Sequence, residues 1–298
     1  MSFSTLKKRS GSSLENLVKE AEKLNKQGPG ADERFWKPEL DKSGNGYAVI
    51  RFLPAPDGED LPWAKVYSHA FQGPGGWYIE NSLTTVNKKD PVGEVNRQHW
   101  NNGTEEGKDI ARRQKRKLSY YSNIQVVKDP KHPENEGKVF LYKYGKKIHD
   151  KILAAMQPEF QDETPVNVFD LWEGANFKLK IKKVAGFWNY DSSEFDSVSA
   201  LSSDDTELEA TWKSEHSLEA FVAADQFKSY EDLEKRLQLV LGSSPRATVP
   251  SVDSEEYEPV AAATQSSFRE KMSAPVKKEA VVEDDDALSY FASLASDD

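Results

Sequence analysis

Cysteine is absent from this 298-residue chain, which excludes disulfides and thiolate metal ligation and is neutral about compartment. No run of about 18 apolar residues occurs, so no membrane-spanning helix is expected. The basic N-terminus lacks the apolar stretch of a secretory signal. Histidine is scarce: His69, His99, His132, His149 and His216 are scattered without ligand spacing, and each reads as a surface or internally satisfied residue. There is no phosphate-cradling glycine loop, no zinc-protease helix and no nucleophile elbow. Carboxylates are plentiful but sit in acidic runs. No catalytic residues are assigned, and an enzyme is not expected.

What is present is charge, and it is segregated. The formal net charge is -10 and the mean hydropathy -0.74. Residues 191–235 hold thirteen acids and three bases, and residues 243–298 twelve and five. Residues 108–151 invert the balance, with thirteen Lys or Arg against five Asp or Glu, and residues 1–30 carry a net +3. Such separation matters more to partners than the sum does.

Three segments follow. Residues 1–30 form a basic arm, where Lys7-Lys8-Arg9-Ser10 precedes a helical stripe (Leu14, Leu17, Val18, Ala21, Leu24) that Gly28-Pro29-Gly30 ends. The arm is read either as a surface helix docked on the core or as a mobile element for a neighbour or a phosphate strand. Residues 31–242 are globular in composition, with all seven tryptophans. Strand-like runs fall at Tyr47–Leu53, Trp63–Phe71, Trp77–Glu80, Leu118–Lys128, Val139–Tyr144 and Asn176–Val184, with helical patterns at Gly145–Met156 and Ser229–Leu241. The expected fold is mainly β (α+β), with an oligonucleotide-binding barrel as core and helical insertions. Residues 243–298 read as a disordered acidic tail. At its end Asp284, Asp285 and Asp286 precede Leu288, Tyr290, Phe291 and Leu294, a pattern suited to docking on partner proteins or simply to solubility.

Within 108–151 the cations alternate with rings. Lys115-Arg116-Lys117 leads into Tyr120 and Tyr121, and Lys143 lies among Phe140, Tyr142 and Tyr144, with Lys146, Lys147 and Lys151 following. On an extended strand Phe140, Tyr142 and Tyr144 share one face, and they form a platform if the face of Val139 and Leu141 is core. Lys178, Lys180 and Lys182 alternate with Phe177, Leu179 and Ile181, ahead of Phe187-Trp188-Asn189-Tyr190. Any single ring in a strand is more often core, and lysine alternation more often a solvated face. The recurrence of cation-ring groups points instead to single-stranded nucleic acid, tracked by cations and stacked on rings. Lys115-Arg116-Lys117-Leu118-Ser119 also echoes the N-terminal cluster.

The strings Ala48–Pro54, Val126–Pro130, Pro133–Phe140, Tyr144–Ile148 and Trp172–Phe177 resemble, in order, the T-even-type bacteriophage single-stranded DNA-binding protein family. The resemblance runs from the N-terminal basic cluster to about Gly242, and the acidic tail matches in character. It implies cooperative self-association through Lys7, Lys8, Arg9 and Ser10, although Gly11 interrupts the hydroxyl pair expected there. DNA contacts are implied at Arg116, Lys117, Tyr120, Tyr121, Tyr142, Phe187 and Tyr190, and at Tyr78. The tail would recruit replication and recombination proteins such as a helicase loader, a polymerase and a recombination mediator, in the host bacterial cytoplasm. The family holds a structural zinc on one histidine and three cysteines. Here His69 matches the histidine, while Ser82, Val92 and Val95 occupy the cysteine positions, so neither zinc nor another cofactor is expected. The competing readings are an RNA-binding translational regulator on the same platform and an acidic scaffold protein whose arm contacts its own acidic surface.

Overall fold

The computed structural model describes residues 32–160 and 162–242. The arm, including Lys7, Lys8, Arg9 and Ser10, lies outside the described residues. So does the tail with Asp284, Asp285, Asp286, Leu288, Tyr290, Phe291 and Leu294. The elements run β1 (Gly46–Phe52), β2 (Ala64–Gly73), β3 (Gly76–Asn81), α1 (Pro91–Asn101), α2 (Glu105–Gln114), β4 (Lys117–Lys128), β5 (Val139–Tyr144), α3 (Lys146–Met156), β6 (Ala175–Val184), β7 (Phe187–Asn189), β8 (Glu194–Val198), α4 (Asp205–Lys213) and α5 (Tyr230–Leu241). This is a mixed α+β chain built on antiparallel pairing. It divides into two compact units, residues 32–67 with 118–227, and residues 68–117 with 228–242.

In the first unit β1 lies between β4 and β6, antiparallel to both, while β5 pairs with β4, and β7 and β8 pair with β6. A strand flanked on both sides and covered on both faces loses the polar alternation of a half-exposed one. In β1, Ala48, Ile50 and Phe52 enter the main core with Ile124, Val126, Phe177 and Leu179. On its other face Arg51 is fully buried. Its guanidinium donates to the carbonyls of Asp170 (3.1 Å) and Ser199 (2.6 Å) and to Asn176 Oδ1 (3.3 Å). Burial pulls its pKa below the ordinary arginine value. Gly174 makes this possible, because a Cβ there would sit 2.2 Å from the Asp170 carbonyl oxygen and 3.0 Å from an Arg51 nitrogen.

In the second unit, β3 folds back on β2 from Ser68 to Gly73, and α5 packs against the hairpin and α1. Leu233, Leu237 and Val240 form the buried face of α5, the face read from the sequence. Gly75 N–H donates to the Val240 carbonyl at 2.8 Å, and a Cβ on Gly75 would lie 1.9 Å from the Leu239 oxygen, so only glycine permits this approach. Helix α1 starts on Asp90, whose carboxylate caps Val92 and Gly93, with Pro91 in the first turn where no donor is needed.

Candidate nucleic-acid interface

The first unit contains a cleft of about 910 Å³ where rings from distant parts of the chain converge. Phe35 and Trp36 reach it from the segment that runs beside β5, held by Trp36 N–H to the Leu141 carbonyl (2.9 Å) and Leu141 N–H to the Arg34 carbonyl (2.8 Å). Tyr121 comes from β4, Phe140, Tyr142 and Lys143 from β5, and Trp188 from β7, with Tyr190 just beyond it. Trp188 is 45% exposed. It lies on a two-residue hairpin turn in which Ala185 (φ 51°) and Gly186 (φ 90°) both take the left-handed conformation that such turns demand.

Charge in the cleft is mixed: Asp32, Glu33 and Glu134 line it beside Lys37 and Lys143, and some of the acids are engaged locally. Asp32 is clamped by Arg34 (2.7 Å), which holds its carboxyl below the usual range. Glu134 and Glu39 bracket His132 at 2.9 and 2.7 Å, and these bonds raise the imidazole's pKa. Lys37 and Lys143 are exposed and form no ion pair among the described residues. Lys143 Nζ lies 5.4 Å from the Tyr121 ring centroid, and the half-buried Tyr121 ring is itself stacked on Phe221 at 4.4 Å.

Four of the thirteen residues read as DNA-contacting from the sequence therefore meet in this cleft: Tyr121, Tyr142, Lys143 and Tyr190. Phe187 is exposed on the same hairpin as Trp188. Lys146 and Lys147 open α3, where Lys146 pairs with Asp150 (2.9 Å) and Lys147 approaches Asp191 (3.9 Å). The β5 ring face is not a free platform. Tyr142 and Tyr144 are buried in the main core, and on the opposite face Leu141 is also fully buried, so β5 is covered on both sides. Tyr142 forms part of the cleft lining at only 5% exposure, and burial pushes its hydroxyl pKa up. Tyr144 donates to or accepts from Ser122 (2.9 Å), and Tyr120 stacks on His149 at 3.8 Å.

Tyr78, Lys115 and Arg116 belong to the second unit, and Lys117 opens β4. Tyr78 is fully buried and stacked on Phe71 (5.1 Å), with its hydroxyl pKa raised by burial. Lys115 terminates α2, and Lys117 is exposed. The lysine face of β6 is partly spent in structure, with Lys178 on Asp196 (2.8 Å) and Lys180 on Glu194 (2.7 Å), while Lys182 and Lys183 stay exposed. Sequence reading missed Phe35, Trp36, Lys37 and Trp188 as lining residues. Trp188 was legible within its aromatic cluster, but nothing periodic marked the other three.

A family model described as "gp32 DNA binding protein like" matches residues 44–241. This chain belongs to the gp32-like DNA-binding protein family. The single-stranded DNA-binding protein of Enterobacteria phage T2 is 41% identical over 236 residues, 77% of either chain. That of Enterobacteria phage T4 is 43% identical over 220 residues, 72% of either chain. A shorter match, 50% identical over 54 residues, covers 18% of this chain and 48% of the single-stranded DNA-binding protein of Escherichia phage SV14.

The zinc that this family resemblance implies does not fit the residues in the second unit. Val92 and Val95 have no lone pair to give, and His69 and Ser82 are engaged elsewhere. Both turn to the buried carboxylate of Asp90. Ser82 Oγ (2.9 Å) and Leu83 N–H (3.0 Å) donate to Oδ2, while Val92 N–H (3.0 Å) and Gly93 N–H (3.3 Å) donate to Oδ1. His69 Nε2 stands 3.3 Å from Oδ1, and its Nδ1 is 3.0 Å from the Gln114 carbonyl. Burial acts to raise the Asp90 pKa, but the His69, Ser82 and Leu83 hydrogen bonds outweigh it and hold the group below its ordinary value. Among the described residues no group of three or more His, Cys, Asp or Glu is arranged to hold a metal ion.

Proposed function

We propose that this chain is a non-enzymatic, sequence-tolerant single-stranded DNA-binding protein; its T2 and T4 relatives are named single-stranded DNA-binding proteins. The observation that supports it most directly is the ring-lined cleft, where the exposed Trp188 and the half-buried Phe35, Tyr121, Phe140 and Tyr190 converge with Lys37 and Lys143, neither of which is in an ion pair among the described residues. Cations follow the phosphates and rings stack on bases, each stacked base adding about 1–3 kcal/mol with little regard to its identity. The first unit serves as the oligonucleotide-binding barrel of the family. Tyr121, Lys143, Trp188 and Tyr190 form the contact set of this unit, with Phe187, Lys146 and Lys147 as further stacking or cationic positions.

Self-association through Lys7, Lys8, Arg9 and Ser10 makes binding cooperative along the strand, so that the protein coats and unfolds single strands during phage replication, recombination and repair in the host cytoplasm. The acidic tail recruits partner proteins of those processes and competes with DNA for the basic groove. The second unit folds without metal around Asp90. No described helix is long and apolar enough to cross a membrane.

Tryptophan fluorescence during titration with oligothymidine at several salt concentrations tests the core of this reading. Quenching is expected, with log affinity falling against log salt by about 0.7 per phosphate neutralised. Absence of binding at low salt would leave the scaffold reading in its place. Parallel titration with RNA of the same sequence separates the regulator reading, which predicts equal or tighter RNA binding. Removing residues 243–298 should tighten apparent binding at low salt, and an unchanged salt titration would refute tail competition.

A further inference from the structure

A second groove in the first unit shares no lining residue with the ring-lined cleft. It encloses about 660 Å³. Its floor is apolar and aromatic: Trp63, Met156, Phe169 and Trp212 contribute, and Trp172 is left 56% exposed. Its charged residues are all acidic, Asp60, Asp170, Asp205 and Glu209, with Asn167 as the remaining polar group and no Lys or Arg in the lining. The floor is held rigid. Trp212 Nε1–H donates to the Ala55 carbonyl (2.9 Å) and Trp172 Nε1–H to Asp205 Oδ1 (3.1 Å). Glu209 pairs with Lys213, but Asp60, Asp170 and Asp205 form no ion pair among the described residues.

The surrounding sequence deepens the field. Residues 54–62 contain three acids and no base, and residues 157–175 five acids and no base. Such a surface repels a phosphate backbone and attracts a cationic segment carrying apolar side chains. The N-terminal segment of this chain, beyond the described residues, has that chemistry. Phe3 and Leu6 stand three apart immediately before Lys7-Lys8-Arg9, in a stretch of nine residues without an acid. The segment that follows the core, 243–298, is net acidic, and its one basic stretch, 268–278, is interrupted by Glu270, whereas residues 1–9 carry no acid.

We infer that this groove receives the basic N-terminal arm of a second copy of the chain, with Phe3 and Leu6 on the aromatic floor and Lys7, Lys8 and Arg9 against Asp60, Asp170, Asp205 and Glu209. The inference rests on the proposed self-association through the arm and supplies its receptor. The ring-lined cleft and the arm groove share no lining residue, so neither ligand competes for the other's site.

The test uses full-length chains in which the charges are reversed. Asp60 and Glu209 are both exposed, and the D60K/E209K variant should bind an oligonucleotide one site long with unchanged affinity while losing about tenfold or more in cooperativity on long oligothymidine. The arm variant K7E/K8E/R9E should lose cooperativity likewise. Mixing the two variants should restore mixed clusters on long strands, because the acidic arm of one then meets the basic groove of the other. Three outcomes overturn the groove assignment: unchanged cooperativity in D60K/E209K, no restoration in the mixture, or restoration only when both changes are in one chain, which would place the arm on its own core. If K7E/K8E/R9E retains full cooperativity, the arm reading itself fails.

Discussion

Replacing Glu215 with glutamine should stabilise the protein at neutral and mildly alkaline pH and leave it unchanged near pH 4.5. Both Glu215 carboxyl oxygens are buried without a hydrogen-bond partner. Burial first, and then the nearby Glu59 carboxylate, push its pKa from 4.5 to about 8. Glu59 is held in place by Ser217 Oγ (2.6 Å) and the N–H groups of Leu218 and Glu219, so it does not turn aside. The unfolded chain releases the Glu215 proton near pH 4.5, whereas the folded chain keeps it to about pH 8. Between those values the folded state binds more protons, and stability falls as pH rises. Each pH unit of that window is worth up to about 1.4 kcal/mol. Rotation of the side chain towards solvent caps the accumulated loss at a few kcal/mol, so about 2–3 kcal/mol at pH 8 is expected. Glutamine abolishes the titration and keeps the shape. Urea unfolding of both proteins at pH 5, 6, 7 and 8 should give curves that diverge steadily with pH, because contributions from other groups cancel in the difference. Parallel curves across that range would refute the reasoning.

Other outcomes can be checked alongside it. Asp90→Ala strands buried donors in the second unit and should cost about 3 kcal/mol in urea unfolding, while chelators leave the unmodified protein's melting temperature unchanged. Trp188→Ala should weaken oligothymidine binding by about 1–3 kcal/mol at every salt concentration, whereas Lys143→Ala should also lower the salt slope by about 0.7. Ala185→Gly relieves a left-handed alanine and should stabilise the first unit by about 1 kcal/mol, read as a higher urea midpoint with unchanged DNA affinity.

Much of the fold was visible in the chain because alternation has a period of two. The six strand-like runs correspond to β1 through β6 within a residue or two at each end, and both expected helices formed as α3 and α5. Helices α1, α2 and α4 escaped because their residues are polar, and tertiary support lies in caps: Asp90, Thr104 and Asp204 each accept from a first-turn N–H. The site was less legible. Period-two alternation assigns Phe140, Tyr142 and Tyr144 to one face but says nothing about what covers it. Leu141 meets Ala64 and Leu218 on the other side, so both faces of β5 are interior. Phe35 and Trp36 join the cleft through backbone hydrogen bonds to β5, the Trp36 indole bond to Asp129 and edge contacts with Tyr121 and Tyr142, long-range pairings that leave no local trace.

The β6–β7 hairpin carries a last consequence. Phe187 and Trp188 are adjacent on one strand of a narrow ribbon, 43% and 45% exposed, and neighbours on a strand point to opposite faces. Only Trp188 is engaged by the cleft. A polynucleotide leaving the cleft over the ribbon's edge meets a second ring before it meets open water. On the proposed reading of the cleft, detachment would proceed base by base, one stacked partner being held while another is released.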